Sequence, residues 1–260
     1  MELPPVEHTP AFQAPRPIRQ VLFDFDGTLS LVRAGWAEVM CAMFTERLDG
    51  AYRAFVFENI MRLNGRATIH QMEWLAEERR VRGMEPATAA AYLEEFLRRL
   101  QMRIDERLAG DREKLLVFGA RALLDALHAR GLTLHIASGT DERAVRHEAE
   151  TLGIAHYFGG RIHGAQPNSR EFSKMAIIET ILRESGSEGA ALLSFGDGHI
   201  ETECTKRVGG VAVGVASDEA EPGSGRIDAG KRERLLAAGA DVVIADYRNA
   251  VALLKTLLAP

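Results

Sequence analysis

The stretch Ile18-Arg19-Gln20-Val21-Leu22-Phe23-Asp24-Phe25-Asp26-Gly27-Thr28 runs apolar and then turns abruptly acidic. An apolar run of this length reads as a buried strand, Arg19 to Phe25, and Gly27 with Thr28 marks the turn that ends it. Side chains two residues apart on an extended chain share a face, so Asp24 and Asp26 are expected to point to one place. Neighbouring carboxylates repel, which calls for a cation or a shared proton. Hard oxygen donors of this kind suit Mg²⁺. A solvated turn is the alternative, since acids and glycine both favour turns. Val21, Leu22 and Phe23 immediately ahead, with Phe25 between the two acids, argue against it.

Downstream of this strand the pattern is helical from about Leu31 to Gly110. Trp36, Val39, Met40, Met43, Phe44 and Leu48 recur at three- and four-residue steps, and so do Tyr52, Phe55, Val56, Ile60 and Leu63. Asp49-Gly50 and Asn64-Gly65 separate these helices. Thr68 with Gln71 predicts a capping box for a third helix, which ends near Arg82. A fourth is predicted from Pro86 to Leu108. No strand falls in this block of roughly four helices.

From about Phe118 the pattern alternates. Helices are predicted at 119–130, 141–152, 173–185, after 200, near 231–238 and at 248–258. Strands are predicted at 132–137, 161–163, 190–195, 210–215 and 241–244. Alternating strands and helices mean a parallel sheet covered on both faces, with ligands bound at the carboxyl ends of its strands. The fold class is therefore α/β: a Rossmann-like parallel-sheet core with an inserted α-helical cap. The divisions are a proline-rich arm (1–17), a core (18–31 with 111–260) and a cap (32–110). Five of the nine prolines, Pro4, Pro5, Pro10, Pro15 and Pro17, crowd the arm. Proline lacks a backbone donor and restricts its predecessor, so an extended arm is expected, read foremost as an unstructured tail, with a strand-like or partner-binding arm as the alternative. Ser217 to Gly230, rich in glycine and acids, is expected to be a loop.

Composition bounds the function. The chain has 260 residues, 46% hydrophobic and 27% charged, with a formal net charge of -5. That is ordinary globular usage, and no basic stretch offers a nucleic-acid footprint. Cys41 and Cys204, far apart in sequence, make neither a disulfide framework nor a thiolate metal cluster, so a reducing, cytoplasmic setting is expected. No apolar run approaches the roughly 20 residues of a membrane span, and the first residues do not read as a signal peptide.

Three more polar clusters fall near strand ends. Ser138-Gly139-Thr140 offers a hydroxyl and small, accessible amides suited to a phosphate oxygen. A plain helix N-cap is an equal reading, and Thr140 can serve as one. Lys174 stands in the first turn of a helix, where the helix dipole disfavours it, a mild sign of another partner. Gly196-Asp197-Gly198-His199-Ile200-Glu201 follows an apolar strand. Asp197 can complete a metal site, and Glu201 lies one helical turn on. His199 reads as a turn histidine rather than a ligand.

Taken in this order, Asp24-Phe25-Asp26-Gly27-Thr28, Ser138, Lys174 and Gly196-Asp197-Gly198-His199-Ile200-Glu201 resemble the four motifs of the haloacid dehalogenase (HAD) superfamily. The resemblance covers residue 18 onward, and the helical block resembles the cap of the phosphoglycolate phosphatase and β-phosphoglucomutase branch. It implies the HAD fold and phosphoryl transfer. Asp24 would be the nucleophile, forming an aspartyl-phosphate. Asp26 would protonate the leaving oxygen and then activate water. Thr28, Ser138, Gly139 and Lys174 would hold the phosphoryl group. Asp24, Asp26 through its carbonyl, Asp197 and Glu201 would bind Mg²⁺. Glu201 replaces the aspartate often found there, so it would reach Mg²⁺ through water or orient Lys174 instead. In the cap, Gly65, Arg66 and His70 fall where the branch reads its substrate, and Arg66 suits an anionic or polyhydroxy group. Members that remove halide lack the second aspartate, so Asp26 favours phosphate chemistry.

The expected activity is a Mg²⁺-dependent phosphatase for a small phosphorylated metabolite, such as a sugar phosphate or a phosphoglycolate-like compound, with a cap that excludes water. The alternatives are a sugar phosphomutase using the same residues and a non-catalytic binding protein on the same fold. No nucleic-acid or membrane partner is expected, and a monomer is the default. A dinucleotide fingerprint fails because its third glycine falls on Glu201. Gly230-Lys231 is followed by Arg232, so Lys231 is no phosphate-loop lysine.

Overall fold

The computed structural model describes residues 6–10, 12, 16–45, 50–63, 67–166 and 172–258. The chain divides into two compact units, Arg33–Gly110 and the remainder, Met1–Val32 with Asp111–Pro260.

The larger unit is an α/β layer built on one seven-stranded sheet. In chain order its strands are β1 (Glu7–His8), β2 (Gln20–Phe23), β3 (Thr133–Asp141), β4 (Ile162–Ala165), β5 (Leu192–Gly196), β6 (Val211–Val215) and β7 (Val242–Ile244). Their spatial order is β1-β7-β6-β5-β2-β3-β4. All neighbours pair in parallel except β1, which runs antiparallel to β7. Every residue of β2, β5, β6 and β7 is buried, as expected of central parallel strands covered on both sides. Phe23 of β2 stacks on Phe195 of β5 with ring centroids 4.9 Å apart, and both are fully buried.

The strand β1 corrects the reading of the arm as a tail. Glu7 and His8 pair with Val243 and Val242, and the Thr9 amide donates to the Asp241 carbonyl. These residues precede Pro10 and keep their N–H donors, so pairing is possible there and stops at the proline.

The helices α5 (Ala120–His128), α6 (Glu142–Thr151), α7 (Lys174–Ser185), α8 (His199–Arg207), α9 (Ala229–Ala237) and α10 (Ala250–Leu257) belong to this unit too. They come close to the predicted spans because their apolar faces repeat cleanly. Ile178 and Ile181 of α7 pack with Leu22, Ala137 and Leu192 of three adjacent strands. Leu235 of α9 packs with Ala216, Ala240 and Val243.

The smaller unit holds α1 (Trp36–Thr45), α2 (Gly50–Arg62), α3 (Thr68–Val81) and α4 (Ala89–Leu108). Met40 and Phe44, Val56 and Ile60, Met72 and Leu75, and Phe96, Leu100 and Ile104 are their buried stripes. The expected capping box on α3 does not form. Ala67 takes the cap position, and buried Gln71 instead donates to the Ile60 carbonyl of α2 at 3.1 Å. That carbonyl belongs to the last turn of α2, where helix partners run out. The fourth helix starts at Ala89 rather than Pro86, because the Thr88 hydroxyl caps the Ala91 amide at 3.2 Å. No helix among the described residues is long and apolar enough to cross a membrane.

Candidate active site

Adjacent strands β3, β2 and β5 bring their carboxyl ends together, since β2 pairs in parallel with both others. Asp24 follows the last residue of β2. Its amide still donates to the Phe195 carbonyl at 2.9 Å, so the backbone is held in ladder geometry one residue further. Beyond it the chain folds tightly: the Phe25 carbonyl accepts from the Leu29 and Ser30 amides, and the Gly27 amide donates to the Ser30 carbonyl. Gly27 has φ +73°, and a Cβ there would lie 2.2 Å from Asp197 Oδ2. Both the conformation and the clearance require glycine.

Lys174 is the first residue of α7, after Ser173, whose hydroxyl caps the Ala176 amide. Its Nζ donates to Asp24 Oδ1 and to Glu201 Oε2, each at 2.7 Å. Glu201 Oε1 accepts from the Gly198 amide at 2.7 Å. Both oxygens of Glu201 are thus engaged. A Cβ at Gly196 would sit 2.1 Å from Glu201 Cγ, so the glycine ahead of Asp197 is what lets Glu201 fold back to the strand end.

Asp26 stands apart from this triad. Its Oδ2 accepts from Thr140 Oγ1 at 2.8 Å, with Ser138 Oγ at 3.5 Å. Ser138 is buried and Gly139 exposed. The predicted strand end at Ala137 moves to Asp141, because β3 continues through a register shift between Ala137 and Asp141. Asp141, not Thr140, caps the next helix, accepting from the Arg143 and Ala144 amides. Thr140 is left to serve Asp26. Thr28 is fully buried; its carbonyl accepts from Tyr247 OH at 3.0 Å, and its own hydroxyl has no partner among the described residues.

Carboxylate oxygens of Asp24, Asp197 and Glu201 lie within 4.8 Å of one another. Burial drives the Asp24 carboxyl well above the usual range; Lys174 offsets this in part, while Glu201 and Asp197 push it further up. Burial also raises Asp197, against the opposing pull of Lys231. Burial pushes Glu201 up as well, but the charge of Lys174 and hydrogen bonds from Lys174 and Gly198 prevail, so it is held low. Burial disfavours the Lys174 ammonium, and the charges of Asp24 and Glu201 more than compensate, so it stays protonated. Among the described residues Asp24, Asp197 and Glu201 share two lysines, Lys174 and Lys231, so the cluster keeps an excess of negative charge, and its donors are hard oxygens. That set fits a Mg²⁺ ion.

Two contributors escaped the sequence reading. Lys231, near the start of α9, donates to Glu219 Oε1 at 2.5 Å and stands 2.9 Å from Asp197 Oδ2. Glu219 comes from the predicted loop, which Ser217 ties to the site by donating to the Gly27 carbonyl at 3.1 Å. The signal was present: Lys231, like Lys174, is a lysine in a first helical turn.

His199 opens α8, half-buried, and is not among the converging ligands. His70 on α3 pairs through Nδ1 with Glu73 at 3.0 Å. Gly65 and Arg66 lie outside the described residues.

Known proteins share this arrangement of elements. A predicted phosphoglycolate phosphatase from Haemophilus somnus superposes with a TM-score of 0.65 at 16% identity, over 91% of this chain and 97% of that one. A HAD family hydrolase from Deinococcus radiodurans, with bound phosphate and sodium, gives 0.59 at 20% identity, over 94% and 99%. A provisionally assigned β-phosphoglucomutase from Thermotoga maritima gives 0.60 at 18% identity, over 93% and 100%. At such identities the likeness is one of fold. No curated protein matches the chain. The family model described as haloacid dehalogenase-like hydrolase matches residues 18–209. The chain belongs to the haloacid dehalogenase-like hydrolase family.

Proposed function

We propose that this hydrolase is a Mg²⁺-dependent phosphatase for a small phosphorylated metabolite, a sugar phosphate or a phosphoglycolate-like compound. One observation carries the reading: a buried lysine held at 2.7 Å from both Asp24 and Glu201, with Asp197 beside them and Asp26 nearby on a separate set of partners.

In this reading Asp24 attacks phosphorus and the bond to the leaving oxygen breaks, giving an aspartyl-phosphate. Asp26 donates a proton to that oxygen, then takes one from the water that hydrolyses the intermediate. Thr140 holds Asp26 by its Oδ2, which fixes the carboxyl in place for that proton transfer. Lys174, Ser138 and the Gly139 amide meet the charge on the equatorial oxygens, where phosphoryl transfer gains most from fixed positive groups. Glu201 acts by orienting Lys174, because both its oxygens are already engaged. Asp24, Asp197 and the Asp26 carbonyl would hold Mg²⁺, which when bound neutralises the carboxylates and the phosphoryl oxygens.

Phosphate release from a panel of phosphorylated metabolites, with and without Mg²⁺, tests the reading. Steady Mg²⁺-dependent release is expected, and Asp24→Asn should lower it by at least about 10³-fold. A phosphomutase would release little phosphate, and an Asp24→Asn protein with full activity would remove Asp24 as nucleophile.

A further inference from the structure

The chemistry above gives Lys174 a task and Lys231 none. Yet Lys231 is built in with equal care. It is the third residue of α9, where the positive end of the helix disfavours an ammonium. Its backbone N–H is already taken by the Asp228 cap at 2.7 Å. Its side chain is one-tenth exposed, lodged between Asp197 and Glu219. Buried ion pairs of this sort are often no more stable than an apolar replacement, so stability alone does not account for a lysine here.

Asp197 is also the carboxylate that the metal reading requires. Its Oδ2 lies against Lys231 at 2.9 Å, and Gly27 closes in on the same oxygen. An ammonium on that oxygen repels a dication bound to the same carboxylate, and in a buried setting the repulsion is weakly screened. Glu219, 2.5 Å from Nζ, offers the ammonium a second place of rest. It stands on the loop and is one-quarter exposed, so it is the partner best able to move with the lysine.

Resting on the Mg²⁺ reading, we propose that Lys231 is the internal counter-ion that a divalent metal displaces. In the metal-free protein Lys231 neutralises Asp197. When the metal binds, Lys231 withdraws to Glu219, and the balance between these two carboxylates sets the metal affinity. Lys231 and Glu219 are positioning residues in this scheme, acting through Asp197.

The test is calorimetric titration of Mg²⁺ into the full chain and into Lys231→Met, Glu219→Gln and Asp197→Asn. Lys231→Met removes the competitor, so Mg²⁺ should bind on the order of tenfold more tightly. Glu219→Gln removes the alternative resting place, so binding should weaken by a similar factor. Two fixed charges would also give opposite signs, but additively; in the displacement scheme Glu219 acts only through Lys231, so Glu219→Gln added to Lys231→Met should change the affinity no further, and additive shifts overturn the proposal. Unchanged affinity in both, or a shift of one sign, overturns the proposal. If Lys231→Met does not fold, unchanged or tighter binding by Glu219→Gln overturns it alone. Asp197→Asn separates the failures: if it abolishes binding while the pair variants behave like the parent, the displacement idea falls and the metal reading stands. If the parent chain binds no Mg²⁺, both fall.

Discussion

Lys174 and Lys231 are two buried lysines, each at a helix start and each shared between two carboxylates, but their surroundings differ. The partners of Lys174 are 10% and 4% exposed, and Glu201 is pinned a second time by the Gly198 amide. The partners of Lys231 are 15% and 25% exposed, and one of them stands on a loop. The first cluster is fixed by strand ends and a helix turn, as the proposed contact with a transferring phosphoryl group would require. The second has room to rearrange. The same residue types at the same kind of position can thus make a rigid element and an adjustable one, and the difference lies in what holds the anions.

The largest effect that would break this comparison is on Lys174. Lys174→Met leaves Asp24 and Glu201 buried without their shared cation, which should cost about 3–5 kcal/mol of stability in denaturant unfolding. Added Mg²⁺ should leave much of that loss in place, because the Glu201 oxygens face Lys174 and Gly198. A variant as stable as the parent would remove the rigid half of the contrast.

A third buried group sharpens it. His135 on β3 has Gln20 Oε1 as a partner at 3.0 Å rather than a carboxylate. Burial, with help from His163 and Arg161, lowers its pKa to about 4. Unfolding would return it to about 6.5, so the unfolded chain binds more protons between these values. Stability from this group is complete above pH 6.5 and is lost as pH falls toward 4, by up to about 3 kcal/mol. His135→Gln should flatten that slope in unfolding curves measured across this range; an unchanged slope would assign it elsewhere. Burial without a carboxylate partner silences a cationic group, and the paired carboxylates are what keep the two lysines charged.

Lys231→Met should be milder, costing about 1–2 kcal/mol without Mg²⁺, since Glu219 can turn toward water. Saturating Mg²⁺ should recover the loss, as any ligand of the native state does. Equal losses in the two lysine variants, with equal recovery, would erase the distinction. The smallest effect concerns the other acid: Thr140→Val removes one hydrogen bond to Asp26, worth about 1 kcal/mol. It should lower kcat about threefold to tenfold with KM little changed, and an altered KM alone would place Thr140 on the substrate instead.

Much of this was legible in the sequence for a local reason. Asp24 and Asp26 follow a purely apolar strand, and Asp197 sits between glycines at the end of another, so each announces itself within a few residues. The helices were legible from their buried stripes. Lys231 and Glu219 were not, because their link to Asp197 spans a loop whose composition says only that it turns. Thr140 was misread as a helix cap because Ser-Gly-Thr is poor strand material; the register shift in β3 carries the strand through it. The strand β1 was legible only as the second reading of the arm, because two residues have no periodicity to detect.

That short strand has a colloidal consequence. Without it, Val242, Val243 and Ile244 would form an open apolar margin, an invitation to another chain to dock and grow a fibre. Glu7 and His8 replace this margin with a polar stub two residues long, and Glu7 is fastened to Arg232 of α9 by paired hydrogen bonds at 2.6 and 2.5 Å. A stub two residues long offers a further strand almost no ladder to pair with, so the sheet ends here on a short, charged edge rather than on β7.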